Sequence, residues 1–364
     1  VRVQVSCLVV THQLREEAME WFRRTARIAD ELVVFAPRER AEAAMYARLE
    51  ALGARVFDTH TTAFYPAADE FRRMVATCRG DWILVIDHDE ELSSEWDDPR
   101  WRELLDRDEF TNYWLPRRWF ISPEEYIDCA PWWPDWQMRL FRNQPEKLTF
   151  PTQLHERLQM AGLGASLGTL AIHHHDLWLA SRSEREAKVR MYDQLRPGQG
   201  LGYFYLSEDV DPPRRRWSGH ANFDLETAIL RMDEIPLAEV PGVSLDVSAS
   251  RAQLRPGELQ WLDVEVTNGT SAALCAGQPF PVWLAYHWLD AATREVVLFE
   301  GARTALLPLL PPGELKQWKM FVEAPLIEGS YILQVTMLQD HSCWFESINP
   351  QLPREFPVMV QSAE

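Results

Sequence analysis

A parallel, doubly wound α/β domain followed by an all-β domain is the fold that the sequence predicts. Three observations predict it. Short apolar runs alternate with amphipathic stretches in the order βαβαβαβ up to Ile86, the pattern of a parallel sheet with crossover helices. The fourth run, Trp82 to Ile86, is continuously apolar and leads into Asp87, Asp89, Glu90 and Glu91. A continuous run of that length reads as a strand covered on both faces. From Val243 onward the helical spacing stops, and short strands separated by turn residues take over.

Each element follows from local chemistry. Val3–Val10 is an apolar strand. Glu16–Ala29 places Ala18, Trp21, Phe22, Thr25, Ile28 and Ala29 near helical spacing. Leu32–Ala36 is a second strand, and Glu39–Leu52 a helix stopped by Gly53. Arg55–Phe57, Ala67–Thr77 and Trp82–Ile86 complete the series. Beyond Leu92, Thr111–Arg118 and Gln137–Phe141 read as strands around a loop-rich aromatic stretch. Arg182–Leu195 is a charged helix stopped by Pro197-Gly198, residues 207–219 an exposed connection, and Asn222–Asp233 one more helix. Pro236 to Gly242 is the expected linker, which divides the chain into domains at 1–235 and 243–364.

In the second domain, Ser244–Ala249, Leu259–Thr267, Val282–Leu289, Val296–Glu300, Leu315–Val322 and Gly329–Gln339 are the expected strands. Pro256-Gly257, Asn268-Gly269, Pro311-Pro312-Gly313 and Glu328-Gly329 are the turns between them. This spacing predicts an immunoglobulin-like β-sandwich.

The acids after Ile86 are the chemical signal. Right-handed crossovers bring the loop after Val10 and these acids to one edge of the sheet, where open α/β sheets bind ligands. Crowded carboxylates repel unless a cation is held among them. Oxygen ligands suit Mg²⁺ or Mn²⁺, which in turn suits a diphosphate.

The run Gly80 to Leu92 resembles the Asp-x-Asp segment of family-2 glycosyltransferases of the GT-A fold. Val3 to Thr11, ending in Thr-His-Gln, is similar to the family's first strand. Trp136-Gln137-Met138-Arg139-Leu140-Phe141-Arg142 is similar to its Trp-x-x-Arg-Leu-Phe-Arg. His155-Glu156, followed by Gly162, Gly164 and Leu170 to His174, resembles its His-Glu…Gly…His-His ending. The resemblance covers residues 1 to 195. The second domain looks like a sandwich module appended to bacterial glycosyltransferases and methyltransferases.

The resemblance implies a nucleotide-sugar domain with particular site residues. Asp89 would be the metal ligand, with Asp87 sharing the metal or lying nearer the ribose. By the family position His174 is a third candidate ligand; three consecutive histidines on a regular strand cannot all turn to one ion. Thr11, Arg72 and Arg73 are candidates for the nucleotide. The family's acid after the second strand is missing here, where the chain reads Phe35-Ala36-Pro37-Arg38. Inverting transfer needs a carboxylate to take the acceptor proton; Glu156 is favoured and Asp135 is the alternative. Trp132, Trp133 and Trp136 are candidate stacking planes for an acceptor sugar, with packing in the core as the alternative.

The net charge of −18 is spread along the chain: 30 basic against 41 acidic residues up to position 242, and 7 against 14 beyond it. Such a chain lacks the basic face that nucleic acid or an anionic membrane requires. No apolar run approaches a membrane span, and the start is not of signal-peptide type. Five scattered cysteines read as reduced core thiols. The expectation is a cytoplasmic enzyme, peripheral at most to the inner face of the membrane. It would take a UDP-sugar or related donor and a glycan or lipid-linked glycan acceptor, with a homo-oligomer through the second domain. The rival readings are an inactive relative that binds glycan or protein, and a sugar nucleotidyltransferase, for which the basic Gly-rich triphosphate loop is missing.

Overall fold

The computed structural model describes residues 4–11, 13–37, 43–59, 68–151, 158–195 and 202–362. The chain forms two compact units: Val1–Ile127 with Trp136–Ala228, and Asp128–Asp135 with Ile229–Glu364.

The first unit is a mixed α/β sheet. Its first half runs β1 (Val5–Val10), α1 (Ala18–Ile28), β2 (Glu31–Ala36), α2 (Ala43–Ala51), β3 (Arg55–Asp58), α3 (Ala68–Thr77) and β4 (Trp82–Asp87). β1 pairs in parallel with β2 and with β4, and β2 with β3, so the alternating series expected from the sequence is present. After β4 come β5 (Glu90–Leu92), β6 (Asn112–Ser122), β7 (Glu125–Ile127) and β8 (Asp135–Arg142). Then follow β9 (Leu148–Thr149), β10 (Gln159–Met160), β11 (Gly164–Leu167) and β12 (Ile172–His174). The main sheet has the order β11-β6-β8-β4-β1-β2-β3, with β8 antiparallel to β4. Side-chain alternation sends Leu8, Val10, Val33, Phe35, Ile83 and Val85 to one face. There they pack with Phe71, Met74 and Val75 of α3.

The unit ends with α4 (Asp176–Leu179), α5 (Arg182–Leu195), α6 (Gly202–Tyr205), β13 (Arg214–Arg216) and α7 (Leu225–Ala228). The expected connection over 207–219 contains a strand after all, because β13 pairs with β7. The helix expected over Asn222–Asp233 is confined to α7. β14 (Ile229–Met232) follows, half-buried, buried, exposed and buried in turn, a period of two rather than of a helix.

The expected boundary also moves. Ala228 closes the first unit, and residues 229–242 are tied into the second. Ile235 N–H donates to Gln339 Oε1 at 2.9 Å, and Gln339 Nε2 donates to the Asp233 carbonyl at 2.9 Å. The stretch expected as a linker is therefore hydrogen-bonded structure.

The second unit is all-β beyond β14. Its strands are β15 (Val243–Val247), β16 (Gln253–Leu254), β17 (Leu259–Asn268), β18 (Gln278–Pro279), β19 (Val282–Asp290) and β20 (Val296–Leu298). They continue with β21 (Thr304–Ala305), β22 (Leu315–Glu323), β23 (Gly329–Gln339), β24 (Cys343–Trp344) and β25 (Arg354–Val360). One sheet is β15-β17-β22 and the other β16-β25-β23-β19-β20, with β21 on β19 and β24 on β23. The sheets meet where the Trp288 indole donates to the Glu323 carbonyl at 2.8 Å. β25 escapes a reading of the sequence because of Pro357. It is tolerated because β16 covers only Met359 and Val360 on that side, leaving no ladder partner for the missing N–H.

β14 and β18 approach unusually closely. A Cβ on Gly277 would lie 2.4 Å from the Leu230 carbonyl oxygen and 2.6 Å from its carbon. Gly277→Ala is expected to cost about 1–3 kcal/mol, the scale of overpacking a closed contact. Chemical denaturation of the second unit checks this, and an unchanged midpoint would mean that the two strands separate freely.

Candidate active site

β1 lies between β2 and β4 in the sheet, so the strand order reverses beside it. In open α/β sheets ligands bind beyond the carboxyl ends of the strands at such a point. The register puts Val10 opposite Phe35 of β2 and Asp87 of β4. The loop after β1 and the acidic turn after β4 therefore share one edge.

Thr11 is at that edge but is 1% exposed. Its hydroxyl accepts from Gln13 N–H at 2.9 Å and donates to the Gln13 carbonyl. The hydroxyl thus closes the turn at this edge. Arg73 lies at the same edge, 5.0 Å over the Phe35 ring and donating to the Asp58 carbonyl at 3.2 Å. Arg72 pairs with Asp69 at 2.8 Å and lies 5.0 Å over Phe150.

The acidic turn supplies its own counter-charges. Arg139 Nη2 on β8 reaches Asp87 Oδ2 at 2.7 Å and Glu90 Oε1 at 2.7 Å. Arg117 on β6 adds a second contact to Glu90 at 3.0 Å, while Glu90 Oε2 accepts the Asp87 N–H at 2.9 Å. Glu91 meets Arg24 at 3.4 Å, and Asp176 meets Lys188 at 2.9 Å. The premise that these acids must hold a metal to avoid repulsion is therefore too simple, because guanidinium and ammonium groups carry much of that load. Burial pushes Asp87 up, but the charge and hydrogen bond of Arg139 outweigh it and leave it below the usual carboxylate range. Burial pushes Glu90 up to about 7 against the pull of Arg139.

Asp89 is the exception. Among the described residues it has no hydrogen bond or ion pair to an arginine or lysine. Its carboxylate faces His174 Nε2 at 3.7 Å. Burial, then the charges of Asp176 and Asp87, push it up to about 7. His174 stays neutral, its pKa held well below the ordinary value by burial and by Arg117. Its Nδ1 is buried without a hydrogen bond. A carboxylate in acidic company with no cation of its own fits a divalent ion, and Mg²⁺ needs only one or two protein carboxylates when substrate phosphates complete its shell.

The three expected ligands Asp87, Asp89 and His174 do not converge. Among the described residues, the set of three whose ligand atoms all lie within 4.8 Å of one another is Glu91, His173 and His175. Strand alternation begins the split: His173 and His174 take opposite faces of β12, and His175, just beyond the strand, packs against Phe120 on the side of His173. The chemistry of that set opposes a metal. His175 Nδ1 accepts from the Trp178 indole at 2.9 Å, so the ring proton sits on Nε2, 3.4 Å from Glu91 Oε2. His173 Nε2 faces the Arg118 guanidinium at 3.4 Å. Arginine only donates, so that ring proton sits on Nδ1, 4.0 Å from Glu91 Oε2. The outer nitrogen of each ring accepts, while His175 Nε2 is buried without a hydrogen-bond partner and His173 Nδ1 is 4.0 Å from Glu91. Metal-bound histidines show the reverse, with the outer nitrogen donating. Glu91 is paired with Arg24, and the two imidazoles lie alongside it.

Glu156 and His155 lie outside the described residues. Asp135, Trp132 and Trp133 belong to the second unit, where the Trp261 indole donates to the Ala130 carbonyl at 3.3 Å. Trp132 is fully buried and Trp136 is 8% exposed, so neither presents a face to a sugar; their aromatic surface packs the core. Trp133 is half-buried. The residues not given a role from sequence are Arg139, Arg117, Lys188 and Asp176. Arg139 lies within the quoted Trp-x-x-Arg-Leu-Phe-Arg stretch, but its pairing with Asp87 across β4 and β8 is a long-range contact that the sequence does not show.

No known family profile matches the chain, and no curated protein matches it. Among solved structures, S. aureus TarS 1-349 is similar at 10% identity over 57% of this chain and 72% of that one, with a TM-score of 0.33. Glucosyl-3-phosphoglycerate synthase from Mycobacterium tuberculosis is 17% identical over 32% of this chain and 44% of that one, with a TM-score of 0.24. β-Glucosidase from Listeria innocua is 16% identical over 33% of this chain, with a TM-score of 0.23, and the match spans only 16% of that chain. These scores are too low for the likenesses to carry an argument. No helix among the described residues is long and apolar enough to cross a membrane.

Proposed function

We propose that the chain is a glycosyltransferase that moves a sugar from a nucleoside-diphosphate sugar, a UDP-sugar foremost, to a hydroxyl of a glycan or glycoconjugate. The observation that carries this reading is the placement of the Asp87-His88-Asp89 turn beside the loop after β1, where the strand order reverses. Asp89, with Asp87 beside it, would hold Mg²⁺ or Mn²⁺. The dication would neutralise charge on the leaving diphosphate. Arg73, at the carboxyl ends of β2 and β3, is the candidate for the nucleoside. Arg139 and Arg117 fix the acids in place.

In the proposed reaction a carboxylate removes the acceptor hydroxyl proton while the oxygen attacks the anomeric carbon. The new glycosidic bond forms as the bond to the diphosphate breaks, with inversion. Glu156 is the proposed base and Asp135 the alternative. We read the two sheets of the second unit as the immunoglobulin-like module that would orient the acceptor or bring copies of the chain together.

A second reading, an inactive relative that binds glycan or protein, is favoured by one observation: Arg139, Arg117 and Arg24 already neutralise three of the acids. A thermal-shift series separates the two. UDP with Mn²⁺ should stabilise the chain, and excess chelator should remove that shift. Asp89→Asn should remove the metal-dependent part while leaving the melting temperature of the unliganded protein nearly unchanged, since burial already makes its neutral form accessible. A UDP shift of equal size in chelator would rule out Asp89 as a metal ligand. No shift with any nucleotide sugar would favour the inactive relative.

A further inference from the structure

β20 ends the second sheet of the second unit and pairs with β19 alone among the described residues. Val296, Val297, Leu298 and Phe299 run along it, each between 40% and 57% exposed. Single exposed apolar residues are ordinary, but four in a row on an edge strand are a template for pairing with another strand. Two other edges of that unit are blunted. β22 carries Lys316 and Lys319, and β16 is two residues long, both usual protections against edge pairing. β20 has no lysine and no proline. It has a bulge, because Leu298 faces Trp288 and Val296 faces Leu289, which leaves Val297 without a partner on β19. The strand is held in place beforehand. The Asp290 carboxylate accepts the N–H groups of Ala292 at 2.9 Å and Thr293 at 2.8 Å in the hairpin turn, and the Phe299 ring stacks on His287 at 5.0 Å. Little ordering cost therefore opposes pairing.

We infer that β20 pairs antiparallel with the same strand of a second copy of this chain, about a two-fold axis through Val297. Charge selects the register. Centred on Val297, the pairing sets Arg294 opposite the partner's Glu300, twice by symmetry. Centred between Val297 and Leu298, it would set Glu295 opposite the partner's Glu300, like against like. Arg294 is 57% and Glu300 43% exposed, so both side chains can reach across. Val296 meets the partner's Leu298, and the apolar run is covered on its open side. Pairing uses up the edge, so assembly closes at a dimer. This surface serves the assembly role given to the second unit and is independent of the transfer chemistry.

Sedimentation velocity of the full chain over a concentration series is the test. The parent chain should form a dimer and nothing larger. Val297→Asp sets a carboxylate against its own copy at the axis and should weaken the dimer by roughly tenfold or more. Arg294→Glu and Glu300→Arg should each weaken it by roughly tenfold, since each puts two like-charged pairs across the axis. An equimolar mixture of those two variants should recover the parent's association, because the mixed dimer has opposite charges in both pairs. Mixing would not cure a structural effect of either substitution. Association that survives Val297→Asp, growth beyond a dimer, or a mixture no tighter than its components overturns the inference alone. A parent chain that stays monomeric overturns it together with the assembly role of the second unit.

Discussion

Arg139→Met is expected to destabilise the first unit by about 3–5 kcal/mol, the cost of breaking a buried ion pair from one side. The variant leaves Asp87 and Glu90 without the guanidinium that joins them at 2.7 Å each. Glu90 is fully buried, whereas the side chain of Asp87 is 32% exposed and can regain some hydration. Glu90 is also pushed up to about 7 by burial, so it can take a proton at neutral pH, which places the loss toward the low end. Glu90→Gln in the Arg139→Met background should recover a large part of it, because the amide removes the stranded charge. Chemical denaturation that resolves the first unit's transition is the measurement. A loss under about 1 kcal/mol would put Arg139 in the class of surface pairs and remove the argument that the acids are internally neutralised.

Glu156→Gln is expected to keep donor binding and to lose transfer by about 10²-fold or more, the usual scale for a general base. Single-turnover transfer from a UDP-sugar, measured beside nucleotide affinity, separates the two effects. Asp135→Asn is the paired control. With Glu156 as the base, Asp135→Asn should leave the chemical step nearly unchanged. Transfer that survives in Glu156→Gln and fails in Asp135→Asn would reassign the base.

Much of the first unit was legible because its signals are local. Continuous apolar runs mark β1, β2 and β4, helical spacing marks α1, and the stop at Pro197-Gly198 marks the end of α5. The turn at Asp87 was legible for the same reason. The division of His173 from His174 followed from strand alternation alone. What could not be read were the long-range pairings. Nothing in the sequence joins Arg139 to Asp87, or Lys188 to Asp176, and these pairs change the meaning of the acids from a bare cluster into a largely matched one. Trp132 and Trp136 looked like sugar platforms because the sequence does not reveal burial. β14 was misread as helix because Glu226 to Met232 suits either period until a partner strand is present. β25 was missed because Pro357 is compatible with a strand only where one edge is uncovered.

The central claim is that the edge formed by the loop after β1 and the Asp87–Glu91 turn binds a nucleoside diphosphate with a dication at Asp89. Calorimetric titration of the full chain with UDP, in Mn²⁺ and then in excess chelator, tests it most directly when repeated on Asp89→Asn. Binding should saturate in Mn²⁺, be abolished by chelator and be lost in Asp89→Asn, with the unliganded variant still folded. Binding that persists unchanged in chelator and in Asp89→Asn, or no binding of the parent protein under either condition, would contradict it.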